Sequence, residues 1–102
     1  MRWQLPVFAV LVHGPSMSPA LSSGDALLVR RGGRVRPGRV VVARFRSRPD
    51  LLVVKRAVRA QDGGWWVHGD NEFGTDDSRV YGVADVIGCV LWRYWPKPRR
   101  FR

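Results

Sequence analysis

Cysteine is almost missing from these 102 residues; Cys89 stands alone. A single thiol forms no internal disulfide, which excludes a disulfide-stapled scaffold and is compatible with a reducing compartment. Cys89 lies in the apolar run VIGCVLW and reads as a small buried hydrophobe. Long hydrophobic runs are missing too. The longest, Leu5 to Val12, is interrupted by Pro6, whereas a membrane-spanning helix needs about 20 apolar residues. Only Arg2 precedes that run and no small-residue cleavage site follows it, so neither a span nor a secretory signal peptide is expected. Lysine is scarce: of 18 cations 16 are arginine, leaving Lys55 and Lys97. Acids number 8, for a net charge of +10. That balance suits an anionic partner such as nucleic acid, anionic lipid or an acidic protein. It equally suits a solvated basic face in a chain that favours arginine. Either way, each lysine stands out. Helical periodicity, internal repeats and linkers are also absent.

What remains is globular. Hydrophobic residues make up 45% and charged residues 25%, which excludes intrinsic disorder. At 11.6 kDa, area scaling gives one domain that buries roughly two-thirds of its unfolded surface. The apolar pattern comes in short strand-like runs. Strands are predicted at Val7 to His13, Ala26 to Arg31, Val40 to Arg46, Leu51 to Val58, Trp65 to Gly69 and Val86 to Tyr94. Breaks fall at Gly14-Pro15, Gly32-Gly33, Pro37-Gly38, Arg48-Pro49-Asp50 and Asp62-Gly63-Gly64. Leu51 to Val54 is apolar at every position, which predicts a strand covered on both faces. Ser16 to Leu21 suits a single turn of helix. The expectation is a mostly β, single compact domain of coiled antiparallel sheet, spanning residues 1–95. The basic tail at 96–102, with two prolines in WPKPRRFR, is expected to be flexible.

Two stretches carry candidate chemistry. In HGPSMSPALSSGD, from His13 to Asp25, Ser16 follows Gly-Pro at the end of an apolar strand. That exposes a hydroxyl at a sheet edge; the alternative is an ordinary turn in which Ser16 or Ser18 acts as a cap. In LLVVKRAV, Lys55 follows four apolar residues. Burial lowers the pKa of a lysine amine, toward the range useful for a base, which arginine cannot reach. The alternative is an edge lysine that snorkels to water. Taken together they suit a serine nucleophile with a lysine base. A Ser16–His68–Asp arrangement is the competing site. His13, His68 and Cys89 lack the paired close spacing of a zinc site, so no metal and no cofactor are expected.

Three boxes, in order, then resemble the type I signal peptidases, a family of Ser–Lys serine proteases with a mostly β catalytic core that self-cleaving repressors share. GPSMSPALSSGDALLV resembles the nucleophile box, VVKRAV the base box, and GDNEFGTDDSRVYGVADVIG the closing box. The resemblance implies that Ser16 is the nucleophile and Lys55 the general base, with Thr75 orienting the amine. It implies that Met17 and Pro19 shape the turn around Ser16. Gly69, Asp70 and Asn71 fall in the loop beside the site. Asp77, Ser78 and Arg79 match the family's Asp-Ser-Arg, implying an ion-pair network that also involves Arg56. Ala20 replaces a usual threonine. Gly14 stands where some members carry an oxyanion-hole serine, so the hole falls to the Ser16 N–H and a second donor.

The family is membrane-anchored, whereas no anchor is expected in this chain. The segments VRPGRVVVARF, WWVHGDN and RYWP look most like one small bacterial branch, the nickel-type superoxide dismutase maturation proteases. That likeness implies a soluble, cytoplasmic endopeptidase that removes an N-terminal propeptide from the nickel superoxide dismutase precursor, its protein partner, with no nucleic acid and no stable membrane insertion. The alternative is a signal-peptidase-type protease acting on exported proteins at the membrane. A more remote one is a small basic β domain that binds nucleic acid, with Trp65, Trp66 and Trp92 as stacking surfaces. A self-cleaving regulator is disfavoured, because no DNA-binding region precedes Ser16.

Overall fold

The computed structural model describes residues 6–74 and 76–102. Their strands are β1 (Val7–Leu11), β2 (Ala26–Arg31), β3 (Val40–Phe45), β4 (Arg48–Gln61), β5 (Gly64–His68), β6 (Ala84–Trp95) and β7 (Arg99–Arg100), with one short helix, α1 (Ser78–Tyr81). The fold is mostly antiparallel β, in one sheet ordered β1-β2-β6-β3-β4-β5, with β7 on β6.

β6 organises the sheet. Its first half pairs with β3 and its second half with β2. Where β3 has ended, β7 takes the vacated edge, opposite Trp92 and Arg93. β4 is likewise shared: Arg48 to Arg56 pairs with β3, and Arg56 to Gln61 with β5. A contact between Trp65 and Ala84 joins β5 back to β6. Strands β3, β4, β5 and β6 thus close into a small barrel, which removes two sheet edges.

Two cores follow from this shape. One gathers Val12, Met17, Leu21, Leu27, Val29, Val40, Val42 and Val90 beneath the β1–β2 wing. The other fills the barrel with Val41, Ala43, Phe45, Ala57, Val67, Ala84 and Cys89. Neighbours along β3 point alternately into the two cores. That is why Val40 to Ala43 is buried at every position. Cys89 is a buried free thiol, as its apolar run suggested.

Several expectations change. Arg48, Pro49 and Asp50 do not break a strand; they open β4, and the reversal falls on Arg46 and Ser47. Leu51 to Val54 is not covered on both faces. Leu52 is 48% exposed and its neighbours are half-buried, because this part of β4 runs along a cleft. The tail expected to be loose instead folds back. Arg99 and Arg100 pair with β6, the Phe101 N–H donates to Leu91 O at 2.8 Å, and the Phe101 ring packs on the first core. Residues 16–20 form turns, as expected for a single turn at this place, with Ser18 N–H donating to Pro15 O and Leu21 N–H to Met17 O. Among the described residues, no helix is long and apolar enough to cross a membrane.

Candidate active site

The nucleophile candidate is presented by a turn anchored from below. Val12 and Asp25 close the ends of this loop, with Val12 N–H donating to Asp25 O and Gly24 N–H to Val12 O. Inside it, Met17 and Leu21 are fully buried in the first core and act as pegs. Gly14 takes φ +82°, a left-handed geometry that glycine adopts without cost. The Ser18–Pro19 peptide is cis. Ser16 is left half-buried at the crest. No described residue accepts its N–H.

The segment Gly69-Asp70-Asn71 locks this crest in place. The Asn71 N–H donates to Ser16 O at 2.8 Å, and the Asn71 side-chain amide donates to Pro15 O at 3.1 Å. Gly69 presses directly on the same turn: a methyl group on its Cα would sit 2.6 Å from Ser16 O. Ordinary packing therefore requires glycine here, for close approach rather than for an unusual φ.

That segment is itself fixed by two ion pairs. Asp77 caps α1 and is 1% exposed. Its carboxylate accepts from Gly69 N–H at 2.8 Å, and from the Arg79 guanidinium at 2.6 and 2.9 Å. Burial pushes the Asp77 carboxyl up, but the Arg79 side chain and the Gly69 and Arg79 N–H groups outweigh it and hold it at about 2. Arg56 forms a separate bidentate pair with Asp70, at 2.7 and 2.8 Å. The expected network is thus corrected: Arg56 engages Asp70, and meets the Asp77–Arg79 pair only through the Gly69-Asp70 main chain. Ser78 is structural as well, its Oγ accepting the Val67 N–H at 2.8 Å. Thr75 lies outside the described residues.

Lys55 comes from the middle of β4, opposite Val41. Alternation turns it to the same side as Val53 and Ala57, toward the barrel core. It is 4% exposed. Desolvation lowers its pKa, Asp77 and Asp76 raise it, and Arg79 lowers it; the outcome lies below the ordinary lysine value. Lys55 and Ser16 line one cavity of about 290 Å³. Leu11, Leu51, Leu52, Val53 and Val54 supply much of its apolar wall. The exposed Leu52 is therefore a cleft residue, and the all-apolar run before Lys55 serves a groove rather than a buried strand.

The competing residues lie elsewhere or are otherwise engaged. His68 does not line the cavity, and its Nε2 accepts from Trp66 Nε1 at 3.1 Å. His13 lines the cavity mouth, a position that the sequence reading did not assign. Trp65 packs on the second core, Trp66 lies under the Arg59 guanidinium, and Trp92 is partly exposed on β6. The sequence reading also missed Asp76, which lines the cavity beside Lys55. The only signal for it was a second acid next to the matched Asp77.

The chain is 31% identical to the Mitochondrial ATP-independent inner membrane protease subunit 1a of Arabidopsis thaliana, over 83% of this chain and 68% of that protein. It is 25% identical to the Mitochondrial inner membrane protease subunit 1 of Homo sapiens, over 85% and 69% respectively. It is 33% identical to the Signal peptidase complex catalytic subunit sec11 of Pyrenophora tritici-repentis, over 80% of this chain and 54% of that protein. The Peptidase S24-like family profile matches residues 3–90. With most of its length matched in this way, the chain belongs to the Peptidase S24-like family.

Proposed function

We propose that this protein is a serine endopeptidase with Ser16 as nucleophile and Lys55 as general base, and that it removes the N-terminal segment of a precursor protein. The observation that carries the proposal is the shared cavity: a half-buried serine on a locked turn, and a desolvated lysine on the facing strand. Neutral Lys55 Nζ takes the proton from Ser16 Oγ as Oγ bonds to the scissile carbonyl carbon. In this reading the Ser16 N–H, which no described residue accepts, holds the oxyanion. Lys55 then returns the proton to the leaving amine as the C–N bond breaks. Water, deprotonated by the same amine, hydrolyses the ester and frees Ser16.

The similarity to signal peptidase and inner membrane protease subunits favours leader removal from a sorted or exported protein. The nickel superoxide dismutase precursor, processed in the cytoplasm, rests on VRPGRVVVARF, WWVHGDN and RYWP alone. It therefore enters as one arm of the test. Purified protein is incubated with leader-junction peptides that carry small residues before the cut, and separately with that precursor. New N-termini are read by mass spectrometry. Cutting in either arm is expected to fall by about a thousandfold or more in Ser16→Ala and Lys55→Arg. If Lys55→Arg cuts as fast as the wild type, the lysine is not the base. Which arm is cut decides the substrate.

A further inference from the structure

Most carboxylates of this arginine-rich chain are already engaged. Asp25, Asp50, Asp70, Asp77 and Asp85 each form an ion pair with an arginine. Asp76 is different. It is exposed, lines the cavity together with Ser16 and Lys55, and forms no ion pair with a described residue. The next residue, Asp77, is the buried cap of α1. Leu51 to Val54 gives the facing wall an apolar surface, so the carboxylate meets whatever chain lies in the cleft.

Its charge also acts on Lys55. The charged groups facing that amine are Asp76 and Asp77, which favour its protonated form, and Arg79, which opposes it. His13, after β1, and Tyr81, on α1, complete the titratable lining. Asp77 is matched by Arg79, whereas Asp76 has no such match among the described residues. Before substrate binds, Asp76 therefore works against the neutral amine that catalysis requires. A cation brought by the substrate would cancel it.

We infer that Asp76 is a specificity residue that selects substrates carrying a lysine or arginine side chain in the segment occupying the cleft. The inference rests on the Ser16–Lys55 peptidase reading above. It runs against the long-range field of a +10 protein, which repels cations; without a local carboxylate, a basic residue would be disfavoured here. An exposed carboxylate–cation pair corresponds to about a two- to fivefold preference in kcat/KM. Because the substrate cation relieves Lys55, part of that preference belongs in kcat.

The test uses a peptide library made by glutamyl cleavage of a denatured proteome, which leaves lysine and arginine intact. Wild type, Ser16→Ala, Asp76→Asn and Asp76→Lys are compared by mass spectrometry of new N-termini. Among Ser16-dependent cuts, a basic residue is expected to be enriched about two- to fivefold at one position near the cut. The bias is expected to disappear in Asp76→Asn and to turn toward Asp in Asp76→Lys. Two peptides based on a preferred cut, with lysine or norleucine at that position, are then compared. The lysine peptide should show the acid limb of its kcat profile at lower pH, and Asp76→Asn should abolish the difference. Ser16-dependent cutting without charge bias, or a bias that survives in Asp76→Asn, overturns the inference. No Ser16-dependent cutting at all overturns the peptidase reading and this inference with it.

Discussion

Gly69→Ala tests the architecture of the site with one methyl group. The added Cβ would lie 2.6 Å from Ser16 O and 3.4 Å from Ser16 C and Cβ. Ordinary contact needs roughly 3.4 Å, so the two segments must separate by ~0.8 Å. The atom in the way is main chain and cannot swing aside. Nor can Gly69 itself retreat, because its N–H is held by Asp77 at 2.8 Å. The nucleophile turn must therefore move, which strains the Asn71 N–H to Ser16 O bond at 2.8 Å. Overpacking of this kind costs about 1–3 kcal/mol of stability. A misplacement near 1 Å costs about a hundredfold in rate. Peptide cleavage at a temperature well below unfolding, together with thermal melts, separates the two effects. The expected pattern is a large loss in kcat with a melting temperature lowered by several degrees. If Gly69→Ala keeps wild-type kcat and stability, the contact between this loop and the nucleophile turn does not position Ser16.

Three further outcomes follow from the same geometry. Lys55→Met should abolish cleavage yet stabilise the fold by about 1 kcal/mol, since a buried amine gives way to an apolar side chain of similar length; a lower melting temperature would contradict the burial of Lys55. Cleavage by the wild type should rise with pH, because the neutral amine is the base, and its midpoint should lie below the ordinary lysine value of about 10.4; a midpoint at or above that value would refute the role of desolvation. Asp77 has a folded pKa depressed from 3.8 to about 2, so its stabilisation is complete above the unfolded value and lost as pH falls through the folded one. Asp77→Asn should therefore cost about 2 kcal/mol near neutral pH and flatten the acid limb of denaturation between pH ~4 and ~2, as measured by urea melts across that range.

Much of the strand pattern was legible because alternation and glycine–proline punctuation are local signals. Ala26 to Arg31 was read with the bounds that the structure gives. Ser16 after Gly-Pro and Lys55 after four apolar residues were visible for the same reason: each is unusual in its own neighbourhood. The Asp77–Arg79 pair was marked by the resemblance to a known box, its members lying only two residues apart, whereas the capping role of Asp77 was not read. Errors came where pairing decides the outcome. Pro49 could join β4 because its position at the start of the strand asks little of its missing N–H. The tail looked loose by composition, but β6 outruns β3 and leaves an edge for it to pair with.

The sequence by itself determined a mostly β domain, an unusual serine and an unusual lysine, because propensity, turn chemistry and apolar runs act over a few residues. Tertiary structure alone decided what those residues share. It brought β4 across from the Ser16 turn to form one cavity, opened Leu51 to Val54 toward a cleft, and paired Arg56 with Asp70. It also set Asp76 at the cavity wall, apart from the arginines that engage its neighbours. These outcomes depend on strand register and closure between distant segments, and no local pattern encodes which edge meets which.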